Sequence, residues 1–327
     1  MSDNVTSPEP ALKPVAQTPV KPHDTPDARA LWLALLDKAG DASGYFETLG
    51  ARHWALFIDE SPTLVVSFEQ ATDIRARPGQ MPLGHDIAKA RGWSHLCLIA
   101  EGETFYRDRR VYGYFDRLVD DAFFEDFDQV LFFGSDAQAY AAAAFCVAAP
   151  GSTVIAIAPR ATLNPAIAGW DKRNTRARAL DFSSRYGYAP DMIDGAGRVF
   201  ILHDPDCAED AMHAALFRGP HVTHLRLPHV DGRIEAALTQ MNLLQPMVEA
   251  ALDGSLTPLR FAQLWRARRN YGPYLRALLT RAEAAGRTWH EKLICRSVTR
   301  RLQAPRFRKR LADILAAEAA QQIDGDM

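Results

Sequence analysis

Cysteine is scarce: Cys97, Cys146, Cys207 and Cys295 are scattered over 327 residues, and no two form a Cys-x-x-Cys pair. A disulfide frame or a zinc ribbon is therefore excluded, and mostly apolar surroundings predict reduced thiols in a cytoplasmic protein. No apolar run approaches about 18 residues, which excludes a membrane-spanning helix. The first residues lack a positive start followed by an apolar stretch, so no secretory signal peptide is expected. Walker A is absent, and Gly195-Ala196-Gly197 lacks the spacing of a dinucleotide fingerprint. What remains is ordinary for a folded protein: 47% hydrophobic, 24% charged and 9% aromatic residues. At about 150 residues per domain, the length predicts two domains, or one with an appendage.

The net charge of −2 conceals an asymmetry. Residues 255–310 hold 15 Lys or Arg against two acids, Glu283 and Glu291. Such a split marks either a partner-binding segment or a piece that docks on its own acidic body. Residues 1–28 carry six prolines and few large apolar side chains, and are expected to be a disordered tail. The chain then divides into an α/β domain over 29–253, a basic helical extension over 254–320 and a flexible tail over 321–327.

Leu31, Trp32, Leu35 and Leu36 recur at helical spacing, and Gly40 suits a stop. Strands are expected at 54–59 and 63–68, joined by Glu60-Ser61-Pro62 as an antiparallel hairpin. Beyond Gly92, uniformly apolar strands at 95–100, 129–133, 153–158, 199–203 and 222–227 alternate with helices. That pattern predicts a mostly parallel sheet covered on both faces. Four further helices fill 259–320.

The run Val130-Leu131-Phe132-Phe133-Gly134-Ser135-Asp136-Ala137-Gln138 carries an apolar strand through a glycine into a small-residue helix. This is the strand-turn-helix of a nucleophile elbow, G-x-S-x-G, with Asp136 in the nucleophile position and Gln138 at the second glycine. Phe105-Tyr106, Ile157-Ala158-Pro159, Asp204-Pro205 and Gly232-Arg233 follow in chain order around it. With these residues, 93–250 resemble a branch of α/β-hydrolase-like proteins. That branch carries an aromatic segment, Gly-Ser-Ser-Met-Gly-Gly-Tyr, an Ile-Ser-Pro strand end, an Asp-Pro loop and a terminal Gly-His. The whole chain is also similar to a group of bacterial proteins in that branch, some named phosphoadenosine phosphosulfate reductase.

The resemblance implies an α/β-hydrolase-like sheet with helices on both faces, plus the C-terminal helices. It puts Gly134, Ser135, Ala137 and Gly102 in the elbow and oxyanion region. It also makes Asp136, Asp204 and His229 the candidate catalytic set, with Arg233 where the family has histidine. Arginine stays protonated and cannot activate water; His229 is the nearest substitute. Arg233 is instead expected to pair with Asp136 and lower its pKa. Two readings follow: a degenerate hydrolase kept as a binding or interaction module, or a hydrolase with an Asp nucleophile and His229 as base.

The reductase name fails on the residues. A Ser-Gly-Gly-x-Asp-Ser phosphate loop and a Glu-Cys-Gly-x-His tail are both missing, and Cys295 sits in an apolar helical context. No metal and no cofactor are expected. The acid loop accounts for His203-Asp204-Pro205-Asp206, His221 and His224 face opposite sides of a strand, and His290-Glu291 lacks its second histidine. Arg266, Arg268, Arg269, Arg276, Arg300, Arg301, Arg306, Arg308, Lys309 and Arg310 suit the phosphates of nucleic acid or anionic lipid, and the interleaved Trp265, Tyr271, Tyr274 and Trp289 suit stacking on bases. A solvated arginine face over a buried aromatic stripe accounts for them better. An unidentified small molecule or protein is the expected partner.

Overall fold

The computed structural model describes residues 26–325, residue 231 excepted. Most of the expected tail, 1–25, lies outside the described residues; its last three positions open helix α1 (Pro26–Ser43). Eight strands form one sheet: β1 (Gly44–Thr48), β2 (His53–Ile58), β3 (Thr63–Gln70), β4 (Ser94–Ala100), β5 (Gln129–Ser135), β6 (Thr153–Ile157), β7 (Arg198–His203) and β8 (Val222–Arg226). Their order is β1-β2-β4-β3-β5-β6-β7-β8. From β4 to β8 every neighbouring pair is parallel, while β1–β2 and β2–β4 are antiparallel. This is the mostly parallel, α/β-hydrolase-like sheet that the alternating pattern implied.

Two local readings are corrected. β2 and β3 do not pair as a hairpin, because β4 lies between them and pairs with both. The antiparallel pair is β1 with β2, and the half-exposed β1 had no apolar run to announce it.

Helices between the strands are α2 (Ala71–Ala76), α3 (Leu83–Lys89), α4 (Arg109–Asp120), α5 (Ala137–Phe145), α6 (Pro165–Ala168), α7 (Ala189–Met192), α8 (Ala208–Ala214), α9 (Ile234–Gln240) and α10 (Leu244–Leu252). They cover both faces. One face packs Phe68, Phe115, Phe132 and Phe145 under α4 and α5, and the other packs Leu131, Ile155 and Leu202 under α9 and α10. Neighbours β3 and β5 continue to opposite sides of the sheet, so their carboxyl ends form its topological switch point, where this architecture opens a crevice.

The extension comprises α11 (Pro258–Leu264), a 3-10 segment over 265–270, α12 (Gly272–Ala284), α13 (Thr288–Thr299) and α14 (Pro305–Gly325). Helix α14 continues past the expected break at 320; residues 326–327 lie outside the described residues. Leu256, Phe261 and Trp265 join the core beneath the sheet, whereas Leu275, Leu279, Cys295, Val298 and Phe307 form a cluster of their own. The extension is thus docked at its beginning and self-packed beyond it. None of the helices is long and apolar enough to cross a membrane, among the described residues.

Trp265 is 4% exposed and Trp289 62%. Trp265→Ala is expected to cost about 3–5 kcal/mol of unfolding free energy, and Trp289→Ala to stay within about 0.5 kcal/mol. Urea unfolding of the two variants tests the difference.

Candidate functional site

The elbow is present in backbone geometry. Asp136 has φ 55° and ψ −117°, a strained conformation for a residue with a Cβ. Its N–H donates to the Ile157 carbonyl on neighbouring β6 at 2.8 Å. Gly134 makes the approach possible, since a Cβ there would stand 2.4 Å from the Gln138 carbonyl oxygen. Ala139 and Ala141–Ala144 are all fully buried, so helix α5 lies close against the sheet. The Ala137 amide starts that helix directly after Asp136, where an oxyanion donor belongs.

Gly102 does not join it. The strand beside β5 is β3, not β4, and Gly102 follows β4, one strand further away. Its carbonyl accepts from Gln70 Nε2 at 3.3 Å. What faces the elbow is the end of β3, where a small cavity of about 50 Å³ is lined by Glu69, Asp73, Ser135, Gln138 and Glu235 among others. Burial, together with the charges of Glu69, Asp136 and Asp73, pushes the Glu235 carboxyl up to about 7. Glu69, itself pushed up by burial, accepts the Leu83 and Gly84 amides at 2.7 and 2.8 Å.

The larger crevice, of about 450 Å³, is lined by Asp136, Asp204 and Arg233 of the expected set, together with Gly232, Arg160, Arg173, Asp206, Cys207, Asp210 and Arg281. Asp136 is paired, but with Arg160 at 3.4 Å rather than Arg233. Arg233 makes no ion pair among the described residues. Its place at the start of α9 leaves the guanidinium exposed at the crevice rim. The Asp136 carboxyl is held above its ordinary range instead of below it. Desolvation by the crevice walls raises it, Arg160 opposes that, and Asp210 adds to it. About half of the side chain is accessible, and it lines the crevice.

Arg160, 7% exposed, is shared among several acceptors. It donates to the Ala158 carbonyl at 2.8 Å and to Asp210 at 3.2 Å, and lies 3.8 Å from Asp171. Arg173 closes the network on Asp171 at 2.8 Å and on Asp210 at 2.6 Å. His213 anchors it below. Its Nδ1 accepts the Ala161 N–H at 3.1 Å, so Nε2 carries the proton and donates to Asp171 at 3.0 Å. Burial lowers the His213 pKa to about 4, and Asp171 lies well below the carboxylate range, held there by Arg173 against its burial. None of these residues stood out in sequence. A charged Arg160 just past an apolar strand end, beside the elbow strand, was the available signal.

Asp204 is not the acid beside His229. Its two oxygens accept the Asp206 amide at 2.9 Å and the Val230 amide at 3.0 Å, tying the loops after β7 and β8 together. The acid is Asp206, 2.6 Å from His229 Nδ1 and 3.2 Å from Arg281 of the extension. His229 also holds positive φ, 68°, and does not reach ion-pair distance of Asp136. One group of buried ligand-type atoms, Glu69, His95 and Cys97, lies within 4.8 Å among the described residues. The Ser67 hydroxyl already bridges Glu69 and His95 there, at 2.9 Å to each.

No protein-family model and no curated protein matches the chain. Solved structures do. The capsule O-acetyltransferase of Neisseria meningitidis serogroup A is similar over 59% of this chain and 91% of its own, at 13% identity and TM-score 0.39. Est1E from Butyrivibrio proteoclasticus is similar over 63% and 97%, at 12% identity and TM-score 0.41. Mycobacterium tuberculosis MPT51 is similar over 64% and 100%, at 14% identity and TM-score 0.38. At these scores the likeness decides nothing, and the fold rests on strand order and the elbow.

Arg160→Met is expected to cost about 3 kcal/mol, since it strips a cation from buried Asp171 and Asp210. Asp136→Asn, at the half-open end of the network, is expected to stay within about 1 kcal/mol. An unfolded histidine takes its proton near pH 6.5, but native His213 only near pH 4, so stability falls as pH drops between those values. Buried His53 (about 4) and His95 (about 3) act in the same direction. Urea midpoints at pH 7 and pH 5 should show that loss, and His213→Gln should reduce it by about 2 kcal/mol.

Proposed function

We propose that the crevice at the carboxyl end of the sheet binds a small polar ligand carrying both an anionic and a cationic group, without turning it over. The supporting observation is the pairing of Asp136 with Arg160 where a nucleophile would stand free. A carboxylate that shares a guanidinium and lacks a histidine on it is a poor nucleophile. The ligand class follows from what is left unpartnered. Asp204, Asp206 and Asp210 spend their oxygens inside the protein, whereas among the described residues Asp136 has one long ion pair and Arg233 meets no carboxylate. A volume of about 450 Å³ suits a small molecule.

A second reading has its own support. Asp206 follows β7 and His229 follows β8, so nucleophile position, acid and histidine come in the chain order of this fold's triads. In that reading Asp136 attacks a substrate carbon and displaces its leaving group. Water activated by His229 then attacks the carbonyl of the resulting ester and releases Asp136. A thiol-driven reductase has less support: burial pushes the Cys146 thiol up to about 12 and raises that of Cys295. Cys295→Ser is accordingly expected to leave any activity unchanged.

Calorimetric titration with a panel of amino acids and related zwitterions tests the binding reading. Arg233→Ala and Asp136→Ala are each expected to weaken the best ligand by about 10–100-fold. A ligand consumed with His229-dependent turnover would favour the second reading.

A further inference from the structure

Two grooves of nearly equal size and opposite charge lie apart on the molecule, one at the amino end of the sheet and one in the helical extension. The first, about 660 Å³, opens at the amino ends of β5, β6 and β7. Leu118, Val119 and Phe127 supply apolar surface, and Glu125 and Asp128 line it. Asp121 and Asp126 stand alongside; none of these four acids has an ion pair among the described residues. Val119 is 50% exposed, and the one arginine in the wall, Arg198, leans on the Leu252 carbonyl.

The second groove, about 640 Å³, lies between the 265–270 segment, α12 and α13. Leu275, Leu293 and Val298 form its apolar lining, and Arg268, Arg269 and Arg301 its rim. Of the 15 basic residues in 255–310, only Arg281, Lys292, Arg306 and Arg310 meet a carboxylate among the described residues. Leu293 is 45% exposed, and Trp289 one turn before it 62%. These helices touch the body at the carboxyl end of the sheet, where Arg281 meets Asp206.

We infer that the basic groove of one copy seats on the acidic groove of another, so that the chain associates head to tail. Each groove joins an exposed apolar patch to charges that meet no opposite charge among the described residues, Arg268 and Arg301 donating only to neutral oxygens, and each offers what the other lacks. Within one chain they are held apart, since the acidic groove lines the amino ends of β5–β7 whereas the basic groove belongs to helices that meet the body at the carboxyl end. The contact uses two different surfaces, so association is open-ended unless the rotation between copies closes a ring. Ionic attraction across it should weaken with salt.

Light scattering after size exclusion tests this with two surface variants, R269E/L293S on the basic side and E125K/D128K on the acidic side. Wild-type mass is expected to rise with concentration above that of one 36.3 kDa chain and to fall back in about 0.5 M salt. Each variant alone should stay monomeric with an unchanged thermal midpoint. Mixed in equal amounts they should form a complex of two chains and no more, because only one intact groove of each kind remains. A wild type that stays monomeric at every concentration overturns the inference, as does association that the mixed variants fail to restore. A monomeric wild type that binds anionic phosphatidylglycerol vesicles or single-stranded RNA through the arginines overturns it equally.

Discussion

The site depends on one buried cation. Arg160 follows β6, and a residue only 7% exposed must have its guanidinium met by acceptors within the protein. Ala158, Asp136 and Asp210 accept from it, and Asp171 lies 3.8 Å from its Nε, which has no hydrogen bond among the described residues. Arg173 balances the extra carboxylates while neutral His213 donates to Asp171. The segments after β6 and β7 and the elbow after β5 are fastened to one another through this arrangement. Arg160 divides its charge and gives Asp136 only a long contact, so desolvation by the crevice walls outweighs it and holds the Asp136 carboxyl above the ordinary range.

Fold class was readable because its determinants are local. Uniformly apolar strands, the interleaved helices and Gly134 before a run of alanines each state their environment within about ten residues. The hairpin reading failed for a topological reason. Short connections favour neighbours, but β4 enters between β2 and β3 and takes both partners. The same exchange misplaced Gly102: its loop follows a parallel strand, though not the one adjacent to the elbow.

The candidate site was half legible. Asp136 announced itself through the strand-turn-helix pattern. Asp204 and Asp206 are two residues apart on one loop, and only the turn geometry decides that Asp206 faces His229 while Asp204 holds the backbone. Arg160 and its partners remained invisible because their contacts span 24 residues to Asp136 and 50 to Asp210. Such pairings are set by tertiary structure and leave no period in the sequence. The basic extension was read as docked on the body, and its first turns are; its outer helices keep their own core and leave the arginines facing outward.

The central claim is that Arg160 and the distance from His229 keep Asp136 from acting as a nucleophile. It is tested by incubating the protein in ¹⁸O-labelled water with activated short-chain esters and haloalkanes, then weighing the peptide that contains Asp136. Hydrolysis of a covalent ester at its carbonyl would leave one oxygen from water in the Asp136 carboxylate. The account predicts an unlabelled peptide without adduct, in the protein and in His229→Asn alike. Label on Asp136, or an ester adduct that accumulates in His229→Asn, would contradict it.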